Sequence, residues 1–150
     1  MKIKDIMARD VKSILPEMNA REAIERLFDM KISGLPVIDQ HGKLVGMFTE
    51  KDILRNIFPS YLSQVGKFVY VEDPKWIKNK AAELSRLKVA DLMRKEVVTV
   101  DQEASLTEVA RIMLTQKARR MPVLDKDGKV AGIVAREDVV KKLIASEAKR

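Results

Sequence analysis

With 150 residues, 46% of them hydrophobic, the chain can close one compact domain or two small halves around a shared core. It has no cysteine and a single histidine, His41 in the turn "DQHG", which excludes disulfides, thiolate or His-pair metal sites and any Ser/His relay beyond that one residue. The net charge of +7 creates a field that attracts phosphates, although the 34% charged residues interleave both signs and also fit a solvated, salt-bridged surface.

No apolar run approaches the roughly 18 residues of a membrane span. The opening "MKIKDIMARD" carries charges where a signal peptide would have its apolar core, so a soluble, cytoplasmic chain with no membrane partner is expected. His41 is expected as a solvated turn residue.

In chain order, "IKDIM" predicts a short amphipathic turn and "VKSIL" a brief apolar strand. A helix then opens with the capping-box pair Asn19 and Glu22 and sets Ala23, Ile24, Leu27 and Met30 on one face. Strands follow at Leu35 to Asp39 and Lys43 to Thr49, joined by a turn whose Gly42 can take positive φ, and "EKDILRNIF" predicts a closing helix.

The stretch from Pro59 to Arg86 holds Trp76, Tyr61 and Tyr70. There "PKWIKNKAAELSRL" predicts a helix from about Pro74, while "YLSQVGKFVYVED" fits no single element. Aromatics gathered in such a segment suit either a partner surface or a seam between halves, and packing over a seam is the expectation.

The remainder repeats the beginning. Lys2 to Leu54 match Lys88 to Val140 without a gap at a constant offset of 86 residues, with identities at Asp5/Asp91, Met7/Met93, Val11/Val97, Glu22/Glu108, Pro36/Pro122, Gly42/Gly128 and Asp52/Asp138. The second copy has "VADLM", then "VVTVD", then a helix capped by Ser105 and Glu108 with Val109, Ala110 and Met113 on one face. Strands at Met121 to Asp125 and Lys129 to Ala135 turn at Gly128, and "REDVVKKLIASEAKR" closes it.

Each copy therefore reads as β-α-β-β-α, an α+β fold with a first repeat at 1–58, a connecting insertion at 59–86 and a second repeat at 87–150. A three-stranded sheet with two helices on one face leaves apolar surface uncovered, so the copies are expected to pack together.

The ordered set "DIM…EAIERLFDMKISGLPVIDQHGKLVGMFTEKDIL", echoed by "DLM…VVTVD…EVARIMLTQKARRMPVLDKDGKVAGIVAREDVV", resembles a tandem pair of CBS domains, the cystathionine-beta-synthase-type regulatory repeat. The resemblance spans nearly the whole chain apart from the insertion. It implies two repeats packed as a pseudo-two-fold pair with two equivalent clefts, and modules that commonly dimerise. It further implies that the clefts bind AMP, ADP, ATP or S-adenosylmethionine as regulatory ligands, with no other cofactor required, and that occupancy regulates an attached or associated protein.

In "TEKD" a Thr ends a strand and an Asp follows within the first helical turn, so both point to one place. A phosphate would meet the Thr49 hydroxyl and the positive helix end, and the Asp52 carboxylate could accept from ribose hydroxyls. The structural alternative makes Thr49 the N-cap and Asp52 an N3 residue with no ligand.

The resemblance places adenine against Ser13, Ile14 and Pro16, and Gly34, Leu35 and Pro36, in the first copy. In the second it places adenine against Thr99 and Val100, and Met121 and Pro122. The second copy keeps Asp138 but has Ala135 in place of the hydroxyl. Arg119, Arg120 and Arg136 lie beside it and suit phosphate, although "KARR" also fits a solvated helix end.

Two unequal clefts are expected, the first-repeat cleft being the better nucleotide site. The leading reading is a non-enzymatic nucleotide-sensing module acting on a separate partner protein, expected as a homodimer. The alternative is a basic interaction protein that binds nucleic acid through its Lys- and Arg-rich segments. No Walker-type Gly-rich loop with Lys is present, which makes an enzyme the least supported class.

Overall fold

The computed structural model describes residues 1–57 and 74–148. The fold is α+β, as expected, with helices α1 (Ala20–Met30), α2 (Glu50–Ile57), α3 (Pro74–Glu83), α4 (Val89–Leu92), α5 (Leu106–Thr115) and α6 (Arg136–Ala148). The strands are β1 (Gly34–Ile38), β2 (Leu44–Thr49), β3 (Val100–Asp101), β4 (Arg120–Leu124) and β5 (Val130–Ala135), and 3-10 turns lie at Ile3–Asp5 and Leu84–Arg86. The helix expected from about Pro74 forms, whereas Tyr61, Tyr70 and all of "YLSQVGKFVYVED" lie outside the described residues.

The chain folds into two compact units that do not follow chain order. One comprises Met1–Lys12, Gln40–Leu44 and Glu96–Arg150, the other Ser13–Asp39 and Val45–Lys95. The opening segment of each copy thus belongs to the unit that carries the other copy's second hairpin strand.

In the unit with Ser13–Asp39, α1 starts because the Asn19 side chain accepts from the backbone N–H of Arg21 and Glu22, at 2.9 and 3.2 Å. Lys31 closes the helix in the left-handed conformation, φ 57°, with its N–H bonded back to Leu27 and Phe28. Ala23, Ile24 and Leu27 go inward against Ile14, Leu35, Val37, Phe48 and Val89, and each large side chain among them contributes roughly 1.5–3 kcal/mol by leaving water. The segment after α4 pairs with β2, with Met47 and Arg94 exchanging backbone hydrogen bonds at 2.8 Å.

In the other unit, Ser105 caps α5 by accepting from Glu108 N–H at 3.1 Å, and Val109 and Met113 join Ile3, Met7, Val100, Leu106, Met121, Val123, Val134 and Val139 in the core. Here Ala8 and Ile133 make the corresponding exchange, at 2.8 and 2.9 Å. Gly132 is needed at this crossing, because a Cβ there would lie 2.8 Å from the Ala8 carbonyl oxygen and 2.5 Å from Met7 Sδ. Gly46 plays the same part beneath Arg94 and Met93.

The expected first strand of each copy is shorter than its apolar run. In the second copy β3 is two residues long and parallel to β4, in a sheet ordered β3-β4-β5 with β4 and β5 antiparallel. In the first copy "VKSIL" forms only a parallel bridge between Ile14 and Val37 beside the two-stranded β1-β2 sheet. The cause is Pro16. Its counterpart Gln102 donates its N–H to the Leu124 carbonyl at 2.9 Å, and proline has no N–H to give to Ile38.

The two hairpin turns take positive φ at Gly42 (82°) and Gly128 (77°), as expected. His41 is exposed in the first of them.

Candidate functional site

In the first repeat, Thr49 ends β2 and α2 begins at Glu50, whose N–H is anchored on the Ser33 carbonyl at 3.0 Å. Asp52 turns back to this junction. Its Oδ2 accepts from the Thr49 N–H at 2.8 Å and from the Thr49 hydroxyl at 3.2 Å, while Oδ1 accepts from Arg55 Nη1 at 2.7 Å. The spacing therefore brings Thr49 and Asp52 together, in the arrangement of a helix cap.

Asp52 is 4% exposed and the one buried charged side chain among the described residues, whereas the Arg55 side chain is 60% exposed. A carboxylate offers about four lone-pair positions, so this one retains capacity on Oδ1 beside Arg55. Arg55 went unnoticed in the sequence, although its position three residues past Asp52 puts it on the same helix face.

The residues expected to contact adenine adjoin this junction in the same unit. Ile14 N–H donates to the Pro36 carbonyl at 3.1 Å and the Ile14 carbonyl accepts from Ile38 at 3.0 Å, which ties Ser13–Pro16 to the Gly34–Pro36 stretch. Ile14, Leu35 and Pro36 are buried, and Ser13, Pro16 and Gly34 are half-buried. Gly34 sits against Thr49 so closely that a Cβ would lie 2.6 Å from Thr49 Cγ2.

The second repeat reproduces the junction without the hydroxyl. Asp138 Oδ2 accepts from the Ala135 N–H at 3.1 Å, and the Arg136 N–H donates to the Arg119 carbonyl at 2.8 Å. Arg120 stands directly across the ladder from Ala135. Thr99 and Val100 lead into the strand pairing of Val100 with Val123, next to the buried Met121 and Pro122.

Asp138 is half-buried and lines an open depression with Ile6, Lys141, Lys142 and Ala145. Lys141, the counterpart of Arg55, pairs with Glu137 at 2.8 Å instead of with the aspartate. That bond, together with the charges of Lys141, Arg119 and Arg120, holds the Glu137 carboxyl below its ordinary pKa. Arg119, Arg120 and Arg136 are exposed, and among the described residues none forms an ion pair with a carboxylate.

Among the described residues no three acidic or histidine side chains gather as a metal site, and no helix is long and apolar enough to cross a membrane.

Both junctions fall inside segments that match the CBS domain family, at residues 3–59 and 89–145. The chain belongs to that family. It is 36% identical to the chloroplastic CBS domain-containing protein CBSX1 of Arabidopsis thaliana over 139 residues, covering 88% of this chain and spanning 58% of that relative. Among solved structures it is similar to Arabidopsis CBSX2 in complex with AMP, with a TM-score of 0.70 and 31% identity over 99% of this chain and 98% of that one. It is also similar to the CBS domain pair of protein MJ0100 in complex with 5-methylthioadenosine and S-adenosyl-L-methionine, with a TM-score of 0.64 and 25% identity over 95% of this chain and 99% of that one.

Proposed function

We propose that this chain is a non-enzymatic regulatory module of the cytoplasm that binds an adenosine-containing ligand, an adenine nucleotide or S-adenosylmethionine, and modulates a separate protein. The observation that carries the reading is the junction made twice. Asp52 and Asp138 each accept the backbone N–H of the last strand residue, at 2.8 and 3.1 Å, and each presents a carboxylate at the start of the following helix. Such a carboxylate suits a ribose diol, and the strand end beside it suits a phosphate. The AMP and S-adenosylmethionine complexes of related CBS pairs support the ligand class.

In the first repeat the ligand contacts are Thr49 and Asp52, with adenine against Ser13, Ile14, Pro16 and Gly34–Pro36. In the second they are Asp138 with Arg119, Arg120 and Arg136, and adenine against Thr99, Val100, Met121 and Pro122. The repeats occupy 1–58 and 87–150, joined by 59–86. A ligand regulates by differential affinity for two states of the module or its complex.

Self-association follows from apolar side chains exposed at equivalent positions of both repeats, Phe28 with Leu114 and Leu54 with Val140. Light scattering is expected to give a dimer at micromolar concentration, and a monomer at high micromolar concentration would remove that part.

Calorimetric titration of the chain with AMP, ADP, ATP and S-adenosylmethionine tests the function. Saturable binding weakened by Asp52→Ala or Asp138→Ala is expected. Steeply salt-dependent RNA binding indifferent to both substitutions, with no nucleotide bound, would favour a nucleic-acid-binding protein instead.

A further inference from the structure

The two junctions differ by a pair of exchanges, not by one loss. In the first repeat Gly34 lies against Thr49, and any Cβ at 34 would collide with Thr49 Cγ2 at 2.6 Å and press the Phe48 carbonyl oxygen at 3.1 Å. In the second repeat the equivalent residues are Arg120 and Ala135, facing each other across β4 and β5. A long side chain occupies the strand position only where the γ-methyl is gone. Replacing Thr by Ala thus removes the γ-methyl that would meet a side chain at this place, and the hydroxyl goes with it.

The surroundings differ in charge as well. Around the first junction Lys51 and Arg55 balance Glu50 and Asp52, and Arg55 holds the Asp52 carboxylate at 2.7 Å. At the corresponding second-repeat positions stand Arg136, Lys141 and Lys142 beside Glu137 and Asp138, and Arg119 and Arg120 replace Ser33 and Gly34. Among the described residues no cation pairs with Asp138 as Arg55 pairs with Asp52, because Lys141 is turned to Glu137 at 2.8 Å.

Resting on the adenosine-ligand reading, we infer that the second-repeat site selects for phosphate number. It takes a nucleoside triphosphate in preference to a monophosphate and fills first with the triphosphate, the reverse of the order expected from the sequence, while the first-repeat site is indifferent to phosphate number. Guanidinium groups bind phosphate oxygens in paired, charge-assisted hydrogen bonds, so each added phosphate meets a guanidinium at 119, 120 or 136 that forms no ion pair among the described residues. At the first junction the hydroxyl of Thr49 offers one neutral contact, and the ribose must share Asp52 with Arg55.

The test titrates adenosine, AMP and ATP into the full chain carrying Asp52→Ala, which isolates the second site, or Asp138→Ala, which isolates the first. With Asp52→Ala, ATP is expected to bind roughly tenfold or more tighter than AMP. Adding Arg120→Ala is expected to erase most of that preference while circular dichroism stays unchanged. With Asp138→Ala, AMP and ATP are expected to bind alike and more weakly than ATP binds the other site. An ATP preference that survives combined Arg119→Ala, Arg120→Ala and Arg136→Ala, or one that belongs to the Asp138→Ala protein, overturns the sorting alone. Failure of the wild-type chain to bind any of the three or S-adenosylmethionine overturns the adenosine reading together with it.

Discussion

At the scale of single residues, Gly34 and Thr49 form a unit that neither residue explains alone. Gly34→Ala places a Cβ 2.6 Å from Thr49 Cγ2, and overpacking of this kind costs about 1–3 kcal/mol. Urea denaturation of a double-mutant cycle is expected to show part of that loss recovered in Gly34→Ala/Thr49→Ala, since the Phe48 oxygen at 3.1 Å remains close. Additive losses would mean that the two side chains do not contend for one space. Arg55 makes a separate prediction. In an Asp138→Ala background, Arg55→Ala frees Asp52 Oδ1 and is expected to tighten AMP binding at the first site. A marked weakening would assign Arg55 to the ligand.

Among the elements, helices and hairpins were legible in the sequence because their signals are local. The capping residues Asn19 and Ser105, the apolar spacing of α1 and α5 and the turn glycines act within one or two turns of chain. The hairpin strands came out within a residue of the expected bounds. The opening strand did not, since an apolar run says nothing of whether each N–H can reach a partner. Pro16 removes one such donor. Pro16→Gln is expected to place a slowly exchanging amide at position 16, bonded to the Ile38 carbonyl as Gln102 is to Leu124, and hydrogen exchange would read it. Fast exchange there would place the cause of the short strand elsewhere. The Gly46 and Gly132 crossings were equally hidden, because their need for glycine comes from carbonyl oxygens of residues 48 and 124 positions away, Arg94 at 2.7 Å and Ala8 at 2.8 Å. Gly132→Ala is expected to lower stability by about 1–3 kcal/mol in urea denaturation.

For the whole molecule, the duplication was legible but the way the units divide the chain was not. Ile3 and Val89, or Met7 and Met93, present nearly the same apolar pattern, and pattern specifies burial without naming the partner. The same holds for the proposed site. Thr49, Asp52 and Asp138 could be read from spacing, whereas the contact of Arg55 with Asp52, and of Lys141 with Glu137, required coordinates.

One charged contact ties the opening segment to its unit. Glu103 accepts from Lys2 Nζ at 2.6 Å and Lys4 Nζ at 2.8 Å, and these hydrogen bonds bring its carboxyl down to about 2 from an ordinary 4.5. A lowered folded pKa means that the contribution is present above about 4.5 and is lost as pH falls through about 2. Glu103→Gln is expected to flatten the pH dependence of stability in that window, by a small amount that shrinks further in high salt because Lys2 and Glu103 are exposed and Lys4 is only half-buried. A steep acid limb unchanged in the variant would place the titrating group elsewhere.

The central claim is that both repeats carry a binding junction for an adenosine-containing ligand. Its most direct test is the calorimetric stoichiometry of ATP on the wild-type chain, Asp52→Ala and Asp138→Ala. Two events per chain are predicted for the wild type, with one remaining in each variant. An unchanged isotherm in both variants, or no binding of ATP, AMP or S-adenosylmethionine to the wild type, would contradict it.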